Sequence, residues 1–524
     1  MKTEASTGSA WTVLVQMFRE YSQRYSTVLF PESRVSIWLF IRMLGLINFI
    51  AFTSFFAQVD GLIGSKGIIP AADFLQQVKV YQGNKAQWIL PSICWVNASD
   101  EFLRGLCLVG MIAAACVTIG FAPWLFLLIC WVNYLSLTGV GQSFFSFQWD
   151  VLLLEVNLCA LLLIPLTSLR LRGPKHTRYH RAGLLLLYLL LFKLMFSSGM
   201  VKIASEDPTW ADLTAMEYHY ETQPLPLPAA WHVHKLPPDI QKASTFSMFI
   251  IELLLPLCIF LPRTFRRVAA SGFILLQILI LFTGNYCFFN WLTIALCLLL
   301  IDDQAWRRIG RINTYLSDFR DFTIPAPIKR IRRYIAWPTT ALLALLMLTQ
   351  TATSSMRKQM TPAPLLAIQK GIAPFRSSNG YGLFAIMTTT RPEIILEGSH
   401  DGVTWKAYEF KYKPGDLHQR PRLVAPHQPR LDWQFWFAAL AWDYPQPWRS
   451  QPWMFPFVER LLEGEPVVLD LLAHNPFPDQ PPRFIRANTY DYQFSSREER
   501  RDNGTWWTRE FIKPYFPEIS LRGQ

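Results

Sequence analysis

The sequence predicts a polytopic α-helical membrane domain of about nine spans, followed by a soluble, β-rich C-terminal domain that is either a β-sandwich or an α+β fold. Apolar side chains make up 51% of the 524 residues and charged ones only 17%, which is too apolar for an ordinary soluble chain. The apolar residues are also bunched. Runs such as AGLLLLYLLLFKLMFSSGMV (182–201) and STFSMFIIELLLPLCIFLP (244–262) reach the roughly 20 residues needed to cross a hydrocarbon core of about 30 Å. Beyond residue 352 the bunching stops and a charged, proline-rich region begins.

Residues 1–36 are polar and mixed in charge, so they read as a cytoplasmic segment without a cleavable signal peptide, and the first span acts as its own signal. Across 37–352 the apolar runs give spans at 37–57, 101–119, 121–138, 149–167, 182–204, 244–262, 268–284, 287–302 and 336–352, with only Gly284 and Asn285 marking the turn between the seventh and eighth. With the N-terminus in the cytoplasm, the inner segments carry 20 Lys and Arg and the outer loops 5, as the positive-inside rule requires. A single helix over 268–302 would put RTFRR and RRIGRI on opposite faces, so two spans fit better. Loops 58–100, 139–148 and 205–243, and the whole of 353–524, then face the periplasm or the endoplasmic-reticulum lumen.

The net charge of +12 follows from this orientation bias, which leaves the lipid bilayer as partner and no nucleic acid. The eight cysteines all precede residue 300 and form no CxxC pair, so neither a disulfide framework nor a redox motif is expected. In the C-terminal region, EIILEGSHDGVTWKAYEFKY (393–412) sets a β-branched run, a turn at Asp401 and Gly402, and an alternating run, the pattern of a hairpin. DWQFWFAALAW (432–442) and PFVERLLEG (456–464) are expected as amphipathic helices.

Charges within spans are costly and mark functional candidates: Arg42, Asp150, Glu155, Lys193, Lys202 and Glu252. Depths taken from a 1.5 Å rise per residue put Lys193 and Glu252 together near the midplane, and Lys202 at the outer level of Asp150 and Glu155. Nine residues, about 900° of rotation, separate Lys193 from Lys202, so the two lysines point in opposite directions. A lysine held partly out of water at the outer face can serve as a base, which makes Lys202 the catalytic candidate. Its setting is MEYHYETQPLPLP (216–228), where Glu217, Tyr218, His219, Tyr220 and Glu221 follow Trp210. In an extended strand Glu217, His219 and Glu221 would share a side, but neither this spacing nor the HxH of WHVH has the specificity of a zinc motif, so no metal is assigned. The PLPLP stretch favours an extended, hydrogen-bond-free backbone that spaces the loop or presents it to a partner. No Walker A, GxSxG, HExxH or dinucleotide fingerprint occurs, and no cofactor is expected. The lack of an internal repeat argues against a transporter.

Long stretches resemble the lipase maturation factor family: LIGSKGIIPAADFL, WVNASDEFLRG, FFSFQWDVLLLE with Gln148, Trp149, Asp150 and Glu155, FKLMFSSGMVKIASEDPTWADLTAMEYHYETQPLP, FTGNYCFFN, and in the tail APHQPRLDWQFWFAAL with Arg430, Asp432 and Trp433, and NPFPDQPPRFIRA. The resemblance implies a multi-pass membrane protein, in eukaryotes of the endoplasmic reticulum, that helps secreted lipases fold. Its partners would be exported client proteins, lipases or other hydrolases, held by the outer loops and the tail around Arg430, Asp432 and Trp433. The chain ends in ISLRGQ without a KDEL-like signal, which favours a bacterial inner membrane as its location. The membrane region is also distantly similar to vitamin K-dependent gamma-carboxylases at Gly199, Lys202, Trp210, Met216, Glu217 and Tyr218. That likeness implies an alternative function, a membrane enzyme with Lys202 as its base.

Overall fold

The computed structural model describes residues 29–166, 179–308, 330, 332–356 and 359–521. Lys2, Arg19 and Arg24, and most of the basic segments 169–181 and 307–333 on which the expected orientation rests, lie outside the described residues.

Among the described residues, seven helices are long and apolar enough to cross a membrane: α1 (Arg34–Phe56), α2 (Asp100–Ile119), α3 (Pro123–Val140), α5 (Arg181–Ala204), α7 (Pro238–Phe260), α8 (Arg263–Thr283) and α10 (Tyr334–Met356). Two of the nine expected segments form shorter helices, α4 (Gln148–Leu163) and α9 (Phe289–Leu298). The chain breaks between α8 and α9 at Gly284 and Asn285, where the sequence places its turn. A further short helix, α6 (Ala215–Thr222), lies between α5 and α7.

Local signals set the helix ends. The Ser99 hydroxyl accepts the Phe102 N–H at 3.3 Å and opens α2, and Gly120 closes it in the left-handed region at φ 79°. Close packing then holds the bundle, since lipid supplies no hydrophobic drive between helices. A Cβ added at Gly110 would sit 2.4 Å from the Phe52 ring, so α1 and α2 approach only because a glycine faces the phenyl group. Asn48 of α1 and Asn157 of α4 exchange amide hydrogen bonds of 3.0 and 2.8 Å inside the bundle. The helix α7 is irregular, with a π-helical turn at Ile250–Leu254 and a 3-10 stretch at Leu255–Phe260 that contains Pro256.

The C-terminal domain is of the α+β type. Its main sheet is antiparallel with strand order β2 (Lys406–Ala407), β1 (Pro392–Ser399), β5 (Phe484–Phe494), β6 (Trp507–Ile519), and a small second sheet pairs β3 (Glu409–Phe410) with β4 (Leu472–His474). The expected hairpin is β1–β2, with Glu397 opposite Ala407, and Asp401 shapes its turn by accepting the N–H groups of Val403 and Thr404 at 2.8 and 2.7 Å. Helix α12 (Met454–Glu463) is amphipathic, burying Met454, Phe457, Val458, Leu461 and Leu462. Helix α11 (Arg430–Ala439) departs from the amphipathic expectation: every residue except Phe437 is buried. It has two covers, β1 on one side and the 142–145 turn of the membrane region on the other.

Candidate functional site

Ionisable groups of the membrane helices meet residues of the C-terminal domain in a buried polar seam. Its centre is Arg430 at the start of α11. Arg430 donates from Nη2 to Asp150 Oδ1 at 2.8 Å and from Nη1 to Asp150 Oδ2 at 2.9 Å, while Tyr134 donates to the same carboxylate at 2.5 Å. The guanidinium also lies over the Phe145 ring at 3.7 Å and donates to the Phe144 carbonyl. Arg430 is 1% exposed and Asp150 fully buried. Burial works against the guanidinium's charge, but Asp150 outweighs it, and the arginine stays ionised above its ordinary range. Next to it, the Gln58 amide accepts the Arg430 N–H at 2.9 Å and donates to the Gln428 carbonyl at 2.8 Å, fastening the 428–430 turn to the end of α1.

A second contact lies deeper along α4. Glu155 accepts a 2.6 Å bond from Lys193 and, on its other oxygen, 2.6 Å from the Tyr381 hydroxyl, 2.9 Å from the Asn379 amide and 3.1 Å from the Asn379 N–H. Burial and the Glu155 charge push the Tyr381 phenol far above its usual range, so it remains a donor. Gln148 exchanges two 3.1 Å bonds with the backbone of Gly382. A Cβ at Gly382, whose φ is 150°, would lie 2.6 Å from Val201, so only glycine lets this segment pass so close to α5.

The third pair corrects the sequence reading. Lys193 was expected beside Glu252, and Lys202 level with Asp150 and Glu155; instead Lys193 binds Glu155, and Lys202 binds Glu252 at 2.7 Å. The π-helical turn of α7 carries Glu252 to Lys202, and Gly199 lets the two segments touch: its added Cβ would be 2.7 Å from Leu253 and 3.1 Å from Glu252. Lys202 also donates to the Ser198 carbonyl at 3.1 Å and stands 5.4 Å from the centre of the Trp210 ring. The Trp210 indole donates to the Phe384 carbonyl at 3.1 Å, and His219 packs edge-on to Phe384 at 4.8 Å. Desolvation, helped by the charge of Lys202, lowers His219 to about 4, so its ring is neutral. Of the remaining spans' charges, Arg42 covers the Trp38 ring at 4.2 Å.

The MEYHYET stretch is the helix α6, not an extended strand. At about 100° per residue, His219 therefore points away from Glu217 and Glu221. Tyr218 is exposed and Glu217 half-buried, while Tyr220 is buried near Trp231 and Trp507. Glu221 accepts the Phe494 N–H at 2.6 Å. PLPLP is extended but not free of hydrogen bonds: Leu227 donates to the Thr283 carbonyl and Leu225 accepts from the Asn285 N–H. Among the described residues no group of three or more His, Cys, Asp and Glu gathers as a metal would need.

The loop is gripped by Arg391, which the sequence reading missed. Its guanidinium donates to the carbonyls of Glu221, Gln223 and Pro224 and to Glu393, and lies 5.0 Å from the Trp507 ring. Nothing in TTTRPEIIL marks this arginine. Asn379 and Tyr381, in SSNGYGLFAIM, were missed as well. Asp432 accepts the N–H groups of Tyr412 and Lys413 at 2.9 Å each, and burial raises it to about 6. Trp433 packs edge-on to Trp149 at 4.8 Å, and Trp149 stacks on Phe147 at the same distance. Chemically, the seam is a set of charge-assisted locks.

Residues 35–308 match the model of the lipase maturation factor transmembrane domain, and residues 377–517 that of the lipase maturation factor C-terminal domain. The chain is 33% identical to lipase maturation factor 2 of Xenopus tropicalis, over 94% of this chain and 83% of that protein. It is 33% identical to lipase maturation factor 2 of Homo sapiens, over 93% and 83%, and 34% identical to lipase maturation factor 1 of Bos taurus, over 92% and 89%. No solved structure matches the chain. With both domain models matched in order and a third of the residues shared over nearly its whole length, the chain, a multi-pass membrane protein, belongs to the lipase maturation factor family.

Proposed function

We propose that the protein is a membrane-held maturation factor for exported enzymes such as lipases, and that it receives its clients on the side of the C-terminal domain, in the periplasm or the lumen of the endoplasmic reticulum. The observation that carries this reading is the ion pairing of the three membrane-facing cations of the seam. Lys193, Lys202 and Arg430 each face a carboxylate within 2.9 Å, and those bonds join the two domains or the helices beneath them. Such an arrangement suits a rigid holder more than a reaction centre, which needs a reactive group open to substrate. The names of the relatives, lipase maturation factors 1 and 2, point to lipases as the client class. The residues Arg430, Asp432 and Trp433 then act by fixing the C-terminal domain, not by touching the client.

Crosslinking in native membranes tests the reading: exported hydrolases are expected among the adducts of the C-terminal domain. Deletion of the gene is expected to lower the activity of particular exported enzymes at unchanged transcript levels. Capture of no exported protein, together with unchanged exported activities, would remove its support.

A second reading keeps Lys202 as the base of a membrane enzyme. It is favoured by one feature: the side chains of Lys202 and Glu252 retain 6 and 10% exposure, the pair most open to its surroundings of the three. It expects loss of product formation in a folded Lys202 variant.

A further inference from the structure

We infer that the segment 71–96 and the helix Ala363–Ile372 form a platform lying in the plane of the membrane, which binds the phospholipid headgroup layer on the side of the C-terminal domain and prefers anionic lipid. Height comes first. Ile93 donates its N–H to the Ser136 hydroxyl at 3.0 Å, and Ser92 donates to the Ser136 carbonyl at 3.1 Å. Ser136 lies about one turn inside the end of α3 at Val140. The chain beside it therefore sits at the edge of the hydrocarbon, on the side where Phe144 meets Arg430. The helix Ala363–Ile372 starts seven residues after the last span ends at Met356, which holds it at the same level. Trp88 ties the first piece to the turn that follows the second, by an edge-on contact with Phe375 at 5.4 Å.

The surfaces are those of interfacial elements. Tyr81 is 82% exposed, Trp88 61% and Val96 85%, and Ala363–Ile372 buries no residue at all while carrying Leu365, Ile368 and Ile372 along one face. In water this much open aromatic and aliphatic surface is unfavourable, whereas at headgroup level Trp and Tyr are at home. Charge selects the lipid. Lys79, Lys85 and Lys370 stand in these segments, and Arg376 just beyond the second, against Asp73 alone, and each cation near an anionic surface contributes about fivefold in binding.

The test uses the full chain in nanodiscs made with phosphatidylcholine alone or with phosphatidylglycerol added, each carrying phospholipid with a photoreactive group near the headgroup. Adducts on 81–96 and 365–372 are expected, enriched at least about threefold with the anionic lipid. The triple variant Lys79→Glu, Lys85→Glu, Lys370→Glu is expected to lose that enrichment while adducts on α1 and α8 stay unchanged, which shows that it is folded. Labelling of Tyr81, Trp88 and Val96 by a water-borne radical without lipid adducts would overturn the inference. So would protection of these residues only when a client protein is added.

Discussion

Arg430 of the C-terminal domain and Asp150 of α4 stand 280 residues apart in sequence, yet form a two-bonded ion pair inside the seam, with Tyr134 on the same carboxylate. Removing one member leaves a buried charge unpaired. Arg430→Ala is expected to lower stability by about 3–5 kcal/mol. Arg430→Lys should recover part of this, because an ammonium cannot form the two parallel bonds. The combined Arg430→Met, Asp150→Leu variant should lie well above either single one. Apparent Tm in nanodiscs, with proteolysis of the C-terminal domain as a second readout, measures all three. A single Arg430→Ala variant as stable as the parent would show that the pair does not hold the domains.

Glu155 offers a graded comparison at the second contact. Tyr381→Phe removes one donor from a carboxylate oxygen that keeps two bonds from Asn379, and should cost about 1.5–3 kcal/mol. Glu155→Gln also strips Lys193 of its counter-charge and should cost more, about 3–5 kcal/mol. The reverse order in thermal unfolding would mean that Lys193 finds another partner.

Stability should fall as pH drops from 7 towards 5. His219, His234 and His427 all have folded values near 4 against an ordinary 6.5, each pushed down first by burial. Between those values the unfolded chain binds more protons, so stability is lost as pH falls through the window, by up to about 1.4 kcal/mol per pH unit for each proton. Asp432, raised to about 6, and Glu221 and Asp303, also raised by burial, act with the opposite sign. The unfolded histidines take up protons from 6.5 downwards, before folded Asp432 does at about 6, so the net loss should show first between pH 7 and 6. His219→Gln should flatten the pH dependence of apparent Tm, while a steeper one would reverse the assignment of a neutral ring.

Much of this architecture is legible in the sequence, because hydropathy reports what a segment is dissolved in. The break at Gly284 and the α12 stripe of Phe457, Val458 and Leu461 are read correctly for that reason. The pairings are not. Helical rise gives the height of Lys193 and Lys202 but not which neighbouring helix each faces, and the π-helical turn that brings Glu252 to Lys202 leaves no periodic trace. The burial of α11 was hidden because amphipathicity assumes one wet face, and here a second domain covers it. Arg391 was invisible for a related reason: its partners are carbonyls, which every residue has.

The sequons at Asn97 and Asn503 give a test of orientation. Both asparagines are exposed, one just before α2 and one at the end of the Arg497–Asn503 helix, and both lie on the side of the C-terminal domain. Expressed with glycosylating microsomes, the chain should gain glycan at Asn503 and lose that shift in Asn503→Gln. Asn97, close to the membrane edge, should be modified less completely. A chain without glycan at either site, with a glycan accepted instead on an engineered site in 169–181, would place the C-terminal domain in the cytoplasm.

Lys202 separates the folding factor from the enzyme, but only when Glu252 is changed with it. Lys202→Ala alone leaves the Glu252 carboxylate without its 2.7 Å partner in a poorly solvated site, so stability should fall by about 3–5 kcal/mol and function would fail on either reading. The combined Lys202→Met, Glu252→Leu variant removes both charges and keeps comparable volume, so it should fold. If the pair is a lock, the yield of active client per folded molecule stays within about twofold of the parent. If Lys202 is a base, that yield falls by about a hundredfold or more while the protein still elutes as a folded species, since general-base catalysis contributes about that much. Folded protein is quantified by size-exclusion chromatography, client activity in the exported fraction. The ion pair of Lys202 with Glu252 and its bond to the Ser198 carbonyl lead us to expect the first outcome.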